Sequence, residues 1–231
     1  MTIAPSINGA KDFLDVEYKL KQIEGVADHR LQRGPAEGGG WVHLDIVDGE
    51  FAEPKSWPYV GDNPEDAIEE LKDVKTKCKL GLHLMVSDPQ ENLDEWMDTP
   101  VERILIQYES PEHIQNALAV LDMTKIESGV VLALDTPVEV IGELPEKIKF
   151  VQLMSIGKIG HYGEHFQSEI LKKIDAAKKM YPNIKISVDG GIKEEHLKDL
   201  AKAGADQVVM GSAIFDAADP AAELKRLQAL V

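Results

Sequence analysis

Short apolar runs alternate with longer segments of mixed polar and apolar residues along the whole chain. Each run has the length of a strand buried on both faces, and the segments between the runs are long enough for amphipathic helices. The runs occupy residues 2–5, 41–47, 80–85, 103–107, 129–133, 149–154, 185–188 and 207–210. The pattern therefore predicts eight strands that alternate with helices.

Several connecting segments carry a proline beside acidic residues, as the starts of helices do. Proline suits the first helical turn, where its missing N–H is not needed, and acidic side chains favour the positive end of the helix dipole. We expect helices to begin within residues 63–66, 88–91, 136–139 and 219–220.

The even spacing of the strand and helix units, with no Pro-, Gly- or Ser-rich linker, predicts an α/β fold. We expect one closed parallel barrel, a single (β/α)8 TIM-barrel domain over residues 1–231. An open doubly wound sheet is the alternative. The glycine-dense segment 33–40 precedes the second strand, so we expect a flexible turn without a catalytic role.

Alternate residues of a strand point to opposite faces, and helices cover the outside of a barrel. In the second, third and seventh runs, the apolar alternates are Val42, Leu44, Ile46, Leu80, Leu82, Leu84, Ile186 and Val188. The polar alternates His43, Asp45, His83 and Asp189 should therefore point inward, near the strand ends where barrels carry active sites.

Two imidazoles and two carboxylates that converge in a barrel suit a divalent ion of the Zn, Fe, Mn or Co group. Several ionisable groups buried together are costly unless a cation or a strong hydrogen-bond network holds them. We favour a metal site, and a hydrogen-bond network is the alternative.

Two glycine features predict a phosphate site beside this cluster. Gly190 and Gly191 follow the seventh strand, and Gly211 and Ser212 follow the eighth. Loops at these positions of a barrel often bind phosphate through backbone N–H groups.

The chain has 41 acidic and 25 basic residues, which give a formal net charge of −16. This charge limits the classes of molecule that the protein can bind. Such a surface repels nucleic acid and anionic membranes, so we expect a small soluble partner. The single cysteine, Cys78, excludes an internal disulfide and a thiolate-cluster metal site. With no basic-then-apolar leader and no membrane-length apolar run, we expect a cytoplasmic protein.

With these motifs, nearly the whole chain resembles the ribulose-phosphate 3-epimerase family. The similar segments, in chain order, are residues 3–7, 43–49 with Phe51, 83–85 with Pro89, 136–139, 188–192, 203–206 and 211–215. Their ordered agreement is more specific than any single motif.

The resemblance implies a ribulose-phosphate-binding barrel of the pentose phosphate pathway, usually a homo-oligomer. Such an enzyme interconverts D-ribulose 5-phosphate and D-xylulose 5-phosphate by two-base proton transfer through a metal-stabilised enediolate, with no organic cofactor. By resemblance, His43, Asp45, His83 and Asp189 are the metal ligands. Asp45 and Asp189 are then also the catalytic acid and base.

The resemblance also assigns residues that contact the substrate. They are Ser6, His83, Gly190, Gly191, Gly211 and Ser212, with Met85 and Met154 as an apolar wall.

The chain departs from the family around the substrate. The loop after Met154 is longer and lacks the usual phosphate-binding residues, so Gly160 and Gly163 receive no role. His161 and His165 in this loop could replace the lost phosphate contacts, and solvated loop residues are an equal or better interpretation. Gln107 stands where the family often has His. These departures leave two alternatives open: an epimerase of a related ketose phosphate such as D-allulose 6-phosphate, or a non-catalytic sugar-phosphate-binding barrel.

Overall fold

Eight parallel strands form a closed barrel in which each strand pairs with its neighbours in the chain and the last pairs with the first. The strands are β1 (Thr2–Ile7), β2 (Trp41–Val47), β3 (Lys79–Met85), β4 (Val101–Gln107), β5 (Glu127–Leu132), β6 (Phe150–Met154), β7 (Lys185–Asp189) and β8 (Gln207–Met210). The structure is a computed structural model that describes residues 1–27, 40–160 and 163–231. The closed order confirms the predicted barrel over an open sheet, and residues 33–39 of the glycine-dense segment lie outside the described residues.

Helices lie between the strands and after the last one. They are α1 (Phe13–Ala27), α2 (Pro64–Glu69), α3 (Leu93–Met97), α4 (Ile114–Leu121), α5 (Ile170–Met180), α6 (Glu194–Ala203), α7 (Ser212–Phe215) and α8 (Pro220–Gln228), with 3-10 helices at Glu70–Asp73 and Val138–Glu143. Among the described residues, no helix has the length and apolar character required to span a membrane.

Two of the four predicted helix starts are confirmed. Proline begins both α2 and α8, and Asn63 and Asp219 cap them through their side chains. The prediction at residues 88–91 is wrong, because the Asp88 carboxylate accepts from the N–H of Gln90 and stabilises a turn, and α3 begins only at Leu93. The prediction at residues 136–139 is correct for position but wrong for type, since a 3-10 helix follows there.

The two faces of each strand pack against different partners. The predicted outer residues, such as Leu44, Leu82 and Val188, belong to the large core that also contains the buried helix residues. Inside the barrel, the Arg103 guanidinium lies between the rings of Trp41 and Phe150, 3.8 Å from each ring centroid. Arg103 therefore fills the barrel below the level at which the inward His and Asp residues lie.

Candidate active site

Three strands bring the four predicted polar residues together inside the barrel. His43 and Asp45 lie on β2, His83 is the register partner of Asp45 on β3, and Asp189 ends β7. One possible ligand atom from each residue lies within 4.8 Å of the others. The alternation of side chains along each strand points all four inward, and the parallel register of the strands places them near one another.

Asp45 lies at the centre of the cluster. Its Oδ1 is 3.2 Å from His43 Nε2 and 3.2 Å from His83 Nδ1. Its Oδ2 accepts a 2.5 Å hydrogen bond from the Ser6 hydroxyl. His43 Nε2 is also 3.8 Å from Asp189 Oδ2, so one imidazole nitrogen lies between the two carboxylates.

The chemistry of this cluster fits a divalent cation. His43 Nε2 is buried and faces two carboxylates, but it makes no hydrogen bond of good geometry with any of the described residues. A buried polar atom without a partner is costly, and a cation bound at this point would use it as a ligand. Imidazole together with carboxylate suits Zn, Fe, Mn or Co.

The two carboxyl groups have opposite pKa shifts. Burial and the nearby charge of Asp45 raise the pKa of Asp189 well above its usual value. Burial also acts to raise the pKa of Asp45, but the adjacent His43 and His83 outweigh it and the net pKa is lowered. Burial lowers the pKa of His43. The two carboxyl groups therefore differ in proton affinity, and Asp189 binds a proton more readily than Asp45.

Two glutamines contact the cluster from within the barrel. Gln107 Oε1 is 2.8 Å from His83 Nε2, and Gln152 Nε2 donates to Asp189 Oδ2 at 3.2 Å. Gln107 stands out in the sequence only as a departure from the family, and Gln152 was not among the predicted site residues. The available signal was parity, because Gln152 has the same inward alternation as Met154.

A cavity of about 790 Å³ opens above the cluster. Its lining includes the two predicted catalytic residues, Asp45 and Asp189. It also includes most of the residues predicted to contact substrate: Ser6, Met85, Met154, Gly190, Gly191, Gly211 and Ser212. His83, also predicted to contact substrate, is fully buried. The cavity therefore joins the two carboxyl groups to the glycine loops after β7 and β8.

The loop after β6 contributes more to this cavity than the sequence indicated. Gly160, Gly163, His165 and Phe166 all line it, which differs from the prediction that the two glycines have no role. His161 lies outside the described residues. The unusual length of this loop removes its match to the family motif, so the sequence gives no sign of its contribution.

The comparisons with known proteins agree with this geometry. The model of the ribulose-phosphate 3 epimerase family matches residues 2–215. A ribulose-phosphate 3-epimerase from Eremothecium gossypii is 29% identical over 229 residues, which cover 94% of this chain and 87% of that protein. The protein from Oryza sativa subsp. japonica named ribulose-phosphate 3-epimerase, cytoplasmic isoform, is 31% identical over 194 residues, 83% of this chain and 82% of its own length.

Solved structures share the fold at lower sequence identity. The 3-hexulose-6-phosphate synthase from Salmonella typhimurium superposes with a TM-score of 0.70 at 15% identity, covering 100% of this chain and 98% of that one. This similarity shows the barrel fold alone. Because the family model extends from β1 to the end of α7, the chain belongs to the ribulose-phosphate 3 epimerase family.

Proposed function

We propose that this protein is a metal-dependent epimerase that interconverts D-ribulose 5-phosphate and D-xylulose 5-phosphate. The observation that carries the proposal is the pair Asp45 and Asp189, which meet in one His and Asp cluster at the base of the cavity. Family membership supports this substrate over D-allulose 6-phosphate. A barrel that only binds sugar phosphate would not require two such carboxyl groups.

His43, Asp45, His83 and Asp189 would together hold one divalent ion of the Zn, Fe, Mn or Co group. When bound, the ion would act as a Lewis acid on the ketone and hydroxyl oxygens of the substrate. The proposed reaction needs no organic cofactor, because it moves only protons and leaves the composition of the sugar unchanged.

Inversion at C3 requires one group that removes a proton and another that returns one on the opposite face. In one direction, a carboxylate takes the C3 proton and the C–H electrons move toward the C2 carbonyl, giving an enediolate. The other carboxyl group then donates a proton to C3 from the opposite side and the carbonyl re-forms. Asp45 and Asp189 have opposite pKa shifts, which is the separation that an acid and base pair needs.

Hydrogen bonds orient both proposed acid and base groups. Ser6 donates to Asp45, and Gln152 donates to Asp189. These bonds restrict the rotation of each carboxyl group, so that proton transfer occurs in a fixed geometry.

The glycine loops would bind the phosphate end of the substrate. Gly190 and Gly191 have φ values of +116° and +63°, which glycine adopts readily, and both line the cavity with Gly211 and Ser212. Backbone N–H groups in such loops suit a phosphate dianion. Met85 and Met154 would form the apolar side of the sugar site.

A coupled assay with D-ribulose 5-phosphate tests this proposal. Purified protein loaded with Mn²⁺, Fe²⁺, Co²⁺ or Zn²⁺ should form D-xylulose 5-phosphate, and chelation should abolish the activity reversibly. D-Allulose 6-phosphate in the same assay tests the related substrate. Metal-loaded protein that binds D-ribulose 5-phosphate but forms no product would contradict the proposal and favour the binding-only barrel.

We also propose that the protein acts as a cytoplasmic homo-oligomer. Exposed apolar side chains support self-association: Leu14 and Tyr18, one turn apart on α1, are 72% and 62% exposed. Light scattering after size exclusion should give at least twice the 25.5 kDa mass of one chain, and a mass of 25.5 kDa would contradict self-association.

A further inference from the structure

A chain of buried hydrogen bonds leads from Asp45 away from the cavity. His83 Nδ1 is 3.2 Å from Asp45 Oδ1, and His83 Nε2 is 2.8 Å from Gln107 Oε1. Gln107 Nε2 in turn donates to Glu109 Oε2 and, at 3.4 Å, to the carbonyl of Val131. His83 and Gln107 have no exposed surface, so water cannot replace these partners.

The partners of Gln107 determine which way its amide points. Carboxylate and carbonyl oxygens only accept hydrogen bonds, so the NH2 group of Gln107 must face Glu109 and its oxygen must face His83. Because that oxygen also only accepts, His83 Nε2 must carry a hydrogen. His83 Nδ1, 3.2 Å from Asp45 Oδ1, is then the nitrogen that faces the metal cluster.

Glu109 is itself fixed by the loop after β5. Its Oε1 accepts from the backbone N–H of Ala133 at 3.0 Å and from the hydroxyl of Thr136. Lys173 donates to the carbonyls of Ala133 and Leu134 and ties the same loop to α5. Glu109 therefore has little freedom to turn away from Gln107.

We propose that Glu109 is a positioning residue that acts through Gln107 to keep hydrogen on His83 Nε2, so that Nδ1 is the nitrogen left to bind a metal ion. The consequence for metal binding rests on the proposed metal site. The hydrogen on Nε2 is a property of the metal-free protein, and it can be measured whether or not the protein is an epimerase.

The isosteric variant Glu109→Gln tests the inference, because a glutamine at this position can donate as well as accept. Gln107 can then turn its oxygen toward residue 109 and its NH2 group toward His83, which favours hydrogen on Nδ1. Long-range ¹H–¹⁵N NMR of the histidine side chains in metal-free protein should show hydrogen on His83 Nε2 throughout the parent population. The variant should show a population in which only Nδ1 of His83 carries hydrogen.

Metal affinity gives a second measurement. Mutation of a residue that supports a metal-ligating histidine typically lowers metal affinity by about 10- to 100-fold. We expect Glu109→Gln to lose affinity for Mn²⁺ or Zn²⁺ in that range, as measured by calorimetry. Glu102→Gln is the matched control. It also removes one carboxylate charge, but from a side chain of β4 that is 51% exposed. The control should keep the parent tautomer and affinity.

A double variant shows whether Glu109 acts through Gln107. In a Gln107→Met background, Glu109→Gln should produce no further loss of metal affinity. If Glu109→Gln folds poorly by circular dichroism, Thr136→Val loosens Glu109 more gently and should cause a smaller loss of affinity. A folded Glu109→Gln that keeps the Nε2–H tautomer and parent affinity would overturn the inference. Absence of epimerase activity in the parent would instead contradict the proposed function and leave the tautomer result intact.

Discussion

At the scale of single residues, Asp189 determines how metal binding should depend on pH. Its raised pKa means that the carboxyl group binds a proton at pH values where an ordinary aspartate is ionised. A cation needs the carboxylate, so metal binding must release this proton. The lowered pKa of His43 means that His43 is already neutral near neutral pH and releases none there.

We therefore expect Mn²⁺ or Zn²⁺ affinity to rise with pH until the pKa of Asp189 is passed, and then to level off. Calorimetry in two buffers of different ionisation enthalpy measures the released protons. Asp189→Asn should release fewer protons than the parent and bind metal less strongly. Equal proton release from both proteins would contradict the assignment of the raised pKa to Asp189.

Arg103 should contribute to stability rather than to chemistry. It packs between two aromatic rings and donates to Glu127 through Nε at 3.0 Å and Nη2 at 2.7 Å. Arg103→Ala removes these contacts and leaves a cavity in the barrel, so we expect a loss of about 3 kcal/mol in unfolding free energy. Urea denaturation measures it.

Arg226 provides the matched control for that measurement. It pairs with Glu194 and Glu223 on the surface, where ion pairs contribute little. Arg226→Ala should therefore lower the unfolding free energy much less than Arg103→Ala does. Similar losses for the two arginines would contradict the importance of the buried contacts.

At the scale of elements, the loops after β6 and β7 pack too closely for any side chain at Gly191. A Cβ there would lie 2.6 Å from the backbone nitrogen of Phe166 and 2.7 Å from the carbonyl oxygen of Glu164. Gly191→Ala should separate the loops and raise KM for the sugar phosphate about 10-fold or more. Steady-state kinetics checks this expectation.

Gly157 is the matched control, because it lies in the loop after β6 that Gly191 contacts, and a Cβ at Gly157 would meet nothing within 4 Å. Gly157→Ala should leave KM near the parent value. An unchanged KM for Gly191→Ala would contradict a role for the β7 loop in phosphate binding.

The strands could be predicted from the sequence because burial on two faces and alternation leave a strong local pattern. The same alternation placed His43, Asp45, His83 and Asp189 on the inner face. Helix starts were less certain, since the residues that begin helices also stabilise turns, as Asp88 does.

The contacts around the cluster could not be predicted in this way. Glu109 reaches Ala133 across 24 residues, and Gln152 reaches Asp189 across 37. Such contacts depend on how neighbouring strands are staggered around the barrel. No pattern within one strand contains that information.

For the molecule as a whole, the net charge of −16 repels an anionic substrate and so disfavours its binding. Charged residues that line the cavity include Asp15, Glu164, Glu195 and Asp216 as well as Lys19 and Lys193. Salt screens such repulsion, with a Debye length of about 10 Å at 0.1 M ionic strength.

We expect KM for D-ribulose 5-phosphate to fall by about 2- to 5-fold between low and moderate ionic strength. Initial-rate kinetics at constant metal saturation measures this change, and binding of unphosphorylated D-ribulose should respond much less. A KM that rises with salt would instead indicate a locally positive entrance to the cavity.

Deuterium incorporation at C3, followed by NMR in D2O with metal-loaded protein, tests the proposed two-base proton transfer most directly. The parent should exchange the C3 proton of D-ribulose 5-phosphate and form D-xylulose 5-phosphate. Asp199→Asn, at an exposed position of α6, should do the same. Asp189→Asn should lose epimerisation at least about 1,000-fold, since one of the two proton-transfer groups is removed. An Asp189→Asn protein as active as the parent would contradict the proposed mechanism.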